Sequence, residues 1–394
     1  MRTEGHHRVA INGWFWDRPE TGSGQYLRRL VETLSRLDTT PEMSLLLPSE
    51  PSEPIASTGR ATAVVHPLRR GHLHKLWWEQ VLVPRLTASV AADLLHVPYW
   101  AAPALAPTPV IVTIHDIIPR ILPAYRGGTM GRLYTALVSA TSMRACTVLT
   151  DSEASRHDII GHLRIPAARV HTIPLAVDAT YAPDAAPDDA ALRAAWGLCS
   201  DYLLYLGGFD VRKNLQAVVG AFAIAHRAAP DARLVIAGRL PSSDTPFTPD
   251  PRRLAREAGL SDDAVHWLGF VPERDKPALY RGARALICPS RYEGFGYPAL
   301  ESMACGTPVV GSHVSSLPEV VGPGGVLLDP DDIDGLAGAL LQLLNDPTFH
   351  ARLRVAAIKQ SRRFSWMRTA EATLEAFHEA MTSPSSSPKK KTVV

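Results

Sequence analysis

The chain has 394 residues, which is long enough for about two or three domains with large hydrophobic cores. Hydrophobic residues make up 46% of it and charged residues 20%, proportions that are typical of a globular protein and exclude wholesale disorder. The formal net charge is only +2, which argues against a dedicated nucleic-acid-binding protein, because such proteins carry a strong basic surplus.

The sequence lacks the patterns of secreted and membrane-spanning proteins. The N-terminal residues MRTEGHHRVAING contain no long apolar run and no small-residue cleavage site, so we expect no secretory signal. No stretch approaches the roughly 18 consecutive apolar residues that cross a bilayer. The four cysteines lie far apart without a CxxC pair: Cys146, Cys199, Cys288 and Cys305. We therefore expect reduced thiols in a cytoplasmic protein.

The first part of the chain alternates between strand-like and helix-like segments. The predicted strands are residues 9–11, 43–47, 94–97, 110–114, 147–149 and 170–173. The predicted helices are residues 23–37, 75–86, 131–145 and 152–163. Because the strands are apolar throughout, they are typical of a parallel sheet that helices cover on both faces.

A second series of the same kind follows. Its predicted strands are residues 202–206, 233–237, 265–268, 285–288, 308–310 and 326–328. Its predicted helices are residues 214–226, 276–282, 298–304, 332–344 and 347–363. Two series of alternating strands and helices predict two doubly wound α/β domains.

The segment DATYAPDAAPDDA (178–190) is rich in Ala, Asp and Pro and is predicted to link the two domains. We place the first domain at residues 1–178, the second at 179–365, and a helix that crosses back to the first domain at 366–381. Residues 382–394, which contain Lys389–Lys391, form a low-complexity tail that is predicted to be disordered. Ligands of open α/β sheets bind at the carboxyl ends of strands, so a cleft between the domains is the expected site.

The most informative run is PSRYEGFGYPALESMACGTPVVG (289–311), which follows a predicted strand. Glu293 lies in the loop after that strand, glycines flank Phe295, and Pro298 is suited to the first position of a helix. Glu301 is then expected in the first helical turn. Carboxylates at these places suit the hydroxyls of a sugar or ribose, and the amides of a helix N-terminus favour a phosphate.

Further motifs stand at other predicted strand ends. Gly207 and Gly208 end one strand, and Arg212 and Lys213 are expected to start the next helix, where two cations beside helix amides form a site for a diphosphate.

In the first domain, Gly22 and Gly24 form a glycine turn, but Leu27 stands where a dinucleotide fingerprint has its third glycine, which disfavours a dehydrogenase. His115 and Asp116 follow an apolar strand, where a histidine can donate to a sugar hydroxyl or a phosphate.

In their order and spacing these motifs resemble those of the retaining glycosyltransferases of family 4 (group 1). The run 289–311 resembles the family's E-x7-E signature. The resemblance continues in the first domain with a phosphate loop, ETGSGQYLRRL (20–30), and a strand end that carries a histidine, VTIHDIIP (112–119). The segment IPLAVD (173–178) resembles the family's hinge. In the second domain, LLYLGGFDVRKNLQAVVGAF (203–222) resembles its glycine turn with a basic pair, and VHWLGFVPERDKPALYRGA (265–283) its nucleotide-base segment. In the hinge, Leu175 and Ala176 replace the Asn-Gly that is common in the family.

The resemblance implies the GT-B fold, in which two Rossmann-like domains face each other across a cleft. It implies transfer of a hexose from a nucleotide-diphospho-sugar to a hydroxyl acceptor with retained configuration. The catalytic residues would be Glu293, His115, Lys213 and Arg212. The donor-binding residues would be Gly22, Gly24, Gly208, Arg212, Lys213, Val271, Glu293, Phe295, Gly296 and Glu301, with Asp116 on the acceptor side.

The motifs look most like those of mannosyltransferase-type members that build polysaccharide, so GDP-mannose is the preferred donor and UDP-glucose remains an alternative. We expect no required cofactor or metal, because Lys, Arg and helix amides can replace a cation at a diphosphate. The acceptor would be a sugar, a polysaccharide or a lipid-linked glycan.

The amphipathic segment 75–86, with Trp77 and Trp78, packs on the sheet or contacts the acceptor or the inner membrane surface. The rival interpretations of the whole chain are a non-hydrolysing nucleotide-sugar epimerase and a non-catalytic scaffold that binds sugar nucleotides.

Overall fold

The computed structural model describes residues 7–55, 60–69, 71–198 and 201–382. These residues divide into two compact units. The N-terminal unit consists of the residues up to Leu175 together with those from Trp366 onward, and the C-terminal unit is Ala176–Ser365. Cys199 and the predicted tail beyond Thr382 lie outside the described residues.

In the N-terminal unit, the described residues form a sheet of seven parallel strands in the order β3-β2-β1-β4-β5-β6-β7. The strands are β1 (Arg8–Asn12), β2 (Glu42–Leu47), β3 (Ala61–Val65), β4 (Leu94–Val97), β5 (Val110–Thr113), β6 (Thr147–Thr150) and β7 (Val170–Thr172). β3 is not among the predicted strands, because this edge strand is largely exposed and has no continuous apolar run.

Helices cover this sheet: α1 (Gly22–Leu34), α2 (His72–Trp77), α3 (Val83–Ser89), α4 (Ile118–Ile121), α5 (Thr129–Ser142), α6 (Glu153–Leu163) and the last helix of the described residues, Trp366–Thr382. That last helix packs against α1 and is tied to the unit by the Thr369 hydroxyl, which donates to the carbonyl oxygen of Pro174 at 2.7 Å.

The single helix predicted over residues 75–86 is interrupted. Between α2 and α3 the residues Trp78–Leu82 form a π-helical turn, which ends just before Pro84. Proline has no amide hydrogen and therefore removes one bond of the regular helical ladder. Trp78 is fully buried and its indole nitrogen donates to the Asn12 side-chain oxygen at 2.9 Å, so this part of the segment packs on the sheet.

In the C-terminal unit, six parallel strands of the described chain form a sheet in the order β10-β9-β8-β11-β12-β13. They are β8 (Tyr202–Leu206), β9 (Leu234–Ala237), β10 (Val265–Gly269), β11 (Ala283–Cys288), β12 (Val309–Ser312) and β13 (Gly325–Leu328). The helices are α7 (Asp189–Ala195), α8 (Leu215–Ala228), α9 (Pro251–Glu257), α10 (Lys276–Gly282), α11 (Tyr297–Ala304), α12 (Leu317–Val321), α13 (Ile333–Asn345) and α14 (Pro347–Ser361); the helix Trp366–Thr382 is α15.

The predicted linker 178–190 is wrong at its end, because α7 begins there. Asp189 is buried, and its two carboxylate oxygens accept from Arg281 at 2.5 and 2.6 Å, which fixes α7 against α10. The prediction of two doubly wound α/β units is confirmed. Among the described residues, no helix combines the length and apolar character needed to cross a bilayer.

Candidate active site

The glycine turn after β8 leads into the predicted basic pair. Gly207 has φ +156° and its amide donates to the carbonyl oxygen of Ala237, the last residue of β9. The chain then forms a short 3₁₀ turn, Val211–Lys213, and α8 begins only at Leu215. The prediction that Arg212 and Lys213 start the helix is therefore wrong: both lie in the loop before it.

Both cations of this loop contact Glu293, which lies about 80 positions further along the chain. The Arg212 guanidinium donates to one carboxylate oxygen at 2.7 Å, and the Lys213 ammonium donates to the other at 2.6 Å. The Ser290 hydroxyl adds a third bond at 2.7 Å. The Glu293 carboxylate is only 6% exposed, so these partners replace the water that it has lost.

This environment decides the ionisation of the Glu293 carboxyl. Burial alone raises its pKa, but the charges of Lys213 and Arg212, with the hydrogen bonds that they donate, lower the pKa below its ordinary value. The carboxylate is therefore ionised at neutral pH and acts only as an acceptor. The Glu293 carboxylate balances one of the two positive charges of this cluster, and Asp210 lies 3.4 Å from Nε of Arg212.

Serines hold the loop that carries Glu293. The Ser316 hydroxyl donates to the carbonyl oxygens of Glu293 and Phe295, and the Ser315 hydroxyl donates to the same Glu293 oxygen. Gly296 then starts α11 with φ +102°, a conformation that favours glycine. Neither serine is among the predicted site residues. Both follow β12, the strand beside β11, and the adjacency of these strands is the signal that identifies them.

Glu301 lies in the second turn of α11, not in its first turn as predicted. It is 3% exposed and accepts a hydrogen bond from the Tyr280 hydroxyl at 2.8 Å. Burial raises its pKa, and the nearby charge of Lys276 opposes that rise only in part. The two glutamates of the E-x7-E run therefore lie in separate clusters with opposite pKa shifts.

The C-terminal unit contains three further residues predicted to bind the donor, each close in sequence to a residue of the Glu293 or Glu301 cluster. Gly208 follows β8 and its carbonyl oxygen accepts from the Tyr205 hydroxyl. Val271 is buried just after β10. Phe295 is buried, and its ring makes edge contacts with Tyr297 and Phe364 at centroid distances of 5.7 Å each.

In the N-terminal unit, the glycine turn is part of a helix start. α1 begins at Gly22, and the Thr21 hydroxyl accepts the Gly24 amide at 3.1 Å. A Cβ added to Gly24 would lie 2.0 Å from the carbonyl oxygen of Arg18. Close packing therefore demands this glycine, and its amide donates to the Thr21 hydroxyl at the start of α1.

His115 follows β5, and its Nδ1 lies 2.7 Å from a carboxylate oxygen of Asp151, which follows the neighbouring strand β6. Asp116 accepts the Ile118 amide at 3.0 Å and so supports the start of α4. His96, on β4, is fully buried against Thr113, and burial lowers its pKa to about 3. Asp151 is not among the residues predicted from the sequence.

Taken together, the C-terminal unit holds two cations, a carboxylate and hydroxyls at the carboxyl ends of its strands. Cations neutralise phosphates, and a carboxylate accepts from sugar hydroxyls, so this arrangement suits an anionic ligand rich in hydroxyl groups. Within the described ranges, no three His, Cys, Asp or Glu side chains lie close enough together to hold a metal ion.

Comparisons with known families match nearly the whole chain. Residues 195–363 match the family described as glycosyl transferases group 1, and residues 21–181 match glycosyltransferase family 4.

Two bacterial relatives carry related names. The chain is 30% identical to the O-antigen chain mannosyltransferase B of Escherichia coli, over 91% of this chain and 96% of that protein. It is 29% identical to the serotype-specific mannosyltransferase WbdA of Escherichia coli, over 69% of this chain but only 33% of that longer protein.

Among solved structures, HepE of Anabaena in complex with UDP and glucose has a similar fold, with a TM-score of 0.72 and 18% sequence identity. The match covers 95% of this chain and 100% of the HepE chain. At this identity the similarity concerns the fold alone.

Proposed function

The chain belongs to the group 1 glycosyltransferases, and on this premise we propose that it transfers a mannosyl group from GDP-mannose to a hydroxyl acceptor with retention of anomeric configuration. It is thus an enzyme of the GT-B class that uses a nucleotide-sugar as co-substrate. The contact of Arg212 and Lys213 with Glu293 is the single observation that most supports the donor site.

In this proposal the donor replaces the internal ion pairs. The diphosphate forms ion pairs with Arg212 and Lys213, and Glu293 accepts hydrogen bonds from the hexose hydroxyls. Glu301 accepts from the ribose, while Gly208, Val271, Phe295 and Gly296 line the donor. We assign His115 to the transferred hexose, Gly22 and Gly24 to the phosphate loop and Asp116 to the acceptor.

The proposed chemical step exchanges two bonds at one sugar carbon. The bond between the anomeric carbon and the diphosphate oxygen breaks, the acceptor oxygen bonds to the same face, and the acceptor proton passes to the departing diphosphate. Negative charge grows on the diphosphate as its bond breaks, so the two cations bind the transition state more tightly than the ground state.

The site variants should separate this role from folding. We expect Lys213→Met and Glu293→Gln each to lower kcat about a hundredfold or more, since each removes a charge at the reacting group. Lys359→Met is the matched control, because this lysine is exposed on α14 of the same unit. Near-normal transfer by both site variants would contradict the assignment.

The names of the two mannosyltransferase relatives favour a mannose donor, and the UDP and glucose bound to HepE keep a UDP-sugar as the second candidate. A thermal-shift panel of GDP-mannose, UDP-glucose and their parent nucleotides would decide, because a true donor stabilises the folded state by mass action. NMR of the glycosidic product would report retention or inversion.

An epimerase would release nucleotide without an acceptor. We therefore expect intact GDP-mannose after incubation without an acceptor, and its conversion to free nucleotide and an epimerised sugar would support the rival function. We expect a chelator to leave transfer largely unchanged, since Arg212 and Lys213 supply the positive charge. Loss of activity that Mg²⁺ restores would contradict that expectation.

We propose further that the acceptor is a lipid-linked glycan at the inner membrane surface of the cytoplasm. Two segments of the N-terminal unit expose large apolar side chains: Leu73, Trp77, Met130 and Leu133 are each 49–71% exposed. Residues 117–146 contain no acidic residue, and residues 66–92 contain only Glu79, which is buried beside Lys75. Exposed apolar groups in a basic region suit an anionic lipid surface.

Vesicle co-sedimentation tests this surface. We expect binding to vesicles with anionic lipid, weaker binding to zwitterionic vesicles, and loss of binding in the double variant Leu73→Ser/Leu133→Ser. Val355→Ser is the control, because Val355 is 67% exposed in the C-terminal unit. Equal binding of all three proteins would contradict the proposal.

A further inference from the structure

The pairing of His115 with Asp151 joins the ends of two neighbouring strands. β5 and β6 are parallel, with Thr113 opposite Leu149, so the residues that follow both strands meet at one edge of the sheet. Asp151 is 3% exposed, and its carboxylate lies 2.7 Å from Nδ1 of the imidazole. A buried carboxylate held at this distance from a ring nitrogen is a specific contact and not a surface ion pair.

Other groups hold the histidine in place. The Ser155 hydroxyl donates to the His115 carbonyl oxygen at 3.0 Å, and the ring of Tyr26 meets the imidazole edge to face at a centroid distance of 5.0 Å. The Tyr26 hydroxyl is itself bonded to Thr113 at 3.2 Å. The ring nitrogen Nε2 is buried and makes no hydrogen bond of regular geometry with the residues that the structure describes, although the carbonyl oxygen of Pro98 lies near the ring.

This geometry decides which nitrogen carries a proton. An ionised carboxylate can only accept, so Nδ1 must be protonated in both charge states of the ring. Nε2 is then the atom that gains or loses the titrating proton. Asp151 thus fixes both the orientation of the His115 ring and the nitrogen at which the ring titrates.

The charges around the ring favour its protonated form. Burial alone lowers the His115 pKa, but the charge and hydrogen bond of Asp151 raise it above its ordinary value, with smaller contributions from Asp116 and the carbonyl of Pro98. Burial keeps the neighbouring His96 neutral, with a pKa of about 3, and raises the pKa of Tyr26, so neither of them competes for the proton.

We propose that Asp151 is a positioning residue that holds the His115 ring through Nδ1 and so presents Nε2 to an oxygen of the nucleotide-sugar. The ligand in this statement rests on the proposed function; the pairing of the two side chains does not. Nε2 carries a proton only in the charged ring, and a hydrogen bond from such a cationic donor is about twice as strong as one between neutral groups. Asp151 thereby strengthens the contact of His115 without touching the ligand itself.

NMR of the full-length protein with labelled histidine tests the pairing independently of activity. The His115 resonance is assigned by its absence in His115→Gln. We expect Asp151→Asn to lower the His115 pKa by about one unit or more, since the variant removes a charge in direct contact. Glu153→Gln is the matched control, because this carboxylate lies two positions away and is largely exposed. An unchanged His115 pKa in folded Asp151→Asn overturns the proposal.

A second measurement needs no variant at Asp151. At high pH the ¹⁵N shifts of the wild-type ring report which nitrogen keeps its proton, and we expect Nδ1–H. The opposite tautomer overturns the proposal even where Asp151→Asn does not fold.

The pH profile of transfer tests the role in the reaction. Transfer should fall as pH rises through the His115 pKa, and in Asp151→Asn this fall should move to lower pH. The deficit of the variant should therefore grow as pH rises from the His115 pKa of the variant to that of the wild type, and reach the order of tenfold. A shifted His115 pKa with an unchanged pH profile would show a purely structural pair and overturn the role. If no nucleotide-sugar is a substrate, the proposed function fails, while the NMR result still decides the pairing.

Discussion

Glu293 and Glu301 show that neighbouring charges decide whether a buried glutamate has a lowered or a raised pKa. Both carboxylates are almost fully buried, eight positions apart in the chain. Burial opposes ionisation of both, but Arg212 and Lys213 contact Glu293 directly and reverse the effect, whereas Glu301 has a tyrosine hydroxyl as its direct partner. The opposite pKa shifts of the two carboxyls therefore follow from their different neighbours.

We expect Glu301→Gln to stabilise the ligand-free protein more at about pH 8 than at about pH 5. The folded-state pKa of Glu301 lies above its unfolded value. Its ionisation therefore costs nothing below the unfolded pKa, and the cost is complete above the folded pKa. Glutamine carries no charge and can still accept from Tyr280. Thermal denaturation at both pH values measures this, and an equal shift at both would contradict the assignment of a raised pKa.

Close packing requires a glycine at position 24, whereas Gly161 has room for a side chain. A Cβ at Gly24 would lie 2.0 Å from a backbone oxygen, whereas a Cβ at Gly161, inside α6, would meet nothing within 4 Å. We expect Gly24→Ala to destabilise the protein by about 1–3 kcal/mol or more. Gly161→Ala should stabilise it by about 0.5–1 kcal/mol, because alanine is the better helix former. Similar melting temperatures for both variants would contradict this packing argument.

At the scale of elements, the segment from α2 to α3 depends on a buried ion pair. Glu79 is fully buried in the π-helical turn, and the Lys75 ammonium lies 2.6 Å from its carboxylate. The Tyr134 hydroxyl of α5 donates to the same carboxylate at 3.0 Å, and Lys75 also bonds to this hydroxyl at 2.7 Å. The pair therefore fastens this segment to α5.

We expect Lys75→Met to cost about 3–5 kcal/mol, because it leaves a buried carboxylate without its counter-charge. The double variant Lys75→Met/Glu79→Gln should recover most of this loss, since it removes both charges. Urea unfolding of the wild type, both single variants and the double variant measures the coupling. Additive losses in the double variant would show that the two side chains act independently.

At the scale of the whole molecule, the helix α15 belongs to the N-terminal unit, although it follows the C-terminal unit in sequence. Phe377, on α15, is fully buried and its ring lies 5.2 Å from that of His96 on β4. The last helix thus completes the core of the N-terminal unit, although the entire C-terminal unit separates it from β1 to β7 in sequence.

We expect Phe377→Ala to destabilise the N-terminal unit by about 3–5 kcal/mol through the cavity that it leaves. Hydrogen exchange followed by mass spectrometry should show lost protection in peptides up to Leu175 and in α15, with protection in Ala176–Ser365 retained. The addition of GDP-mannose should increase protection around the turn Val211–Lys213. Protection lost equally throughout the chain would contradict the assignment of α15 to the N-terminal unit.

Local sequence patterns were enough to predict most helices and strands and the order of most motifs. The strand at 202–206 and the helix at 276–282 have their predicted bounds, because runs of apolar residues and turn residues act over a few neighbours. The same local patterns carried the resemblance to a glycosyltransferase family that the comparisons confirm.

Only the tertiary structure decided which side chains meet. The contacts of Glu293 with Arg212 and Lys213, and of His115 with Asp151, join residues that follow neighbouring parallel strands. Strand order is set by the packing of helices on the whole sheet, and a local pattern does not contain it. Burial of Glu301 and the π-helical turn at Trp78–Leu82 depend on that packing in the same way, because desolvation and helix geometry respond to every neighbour in space.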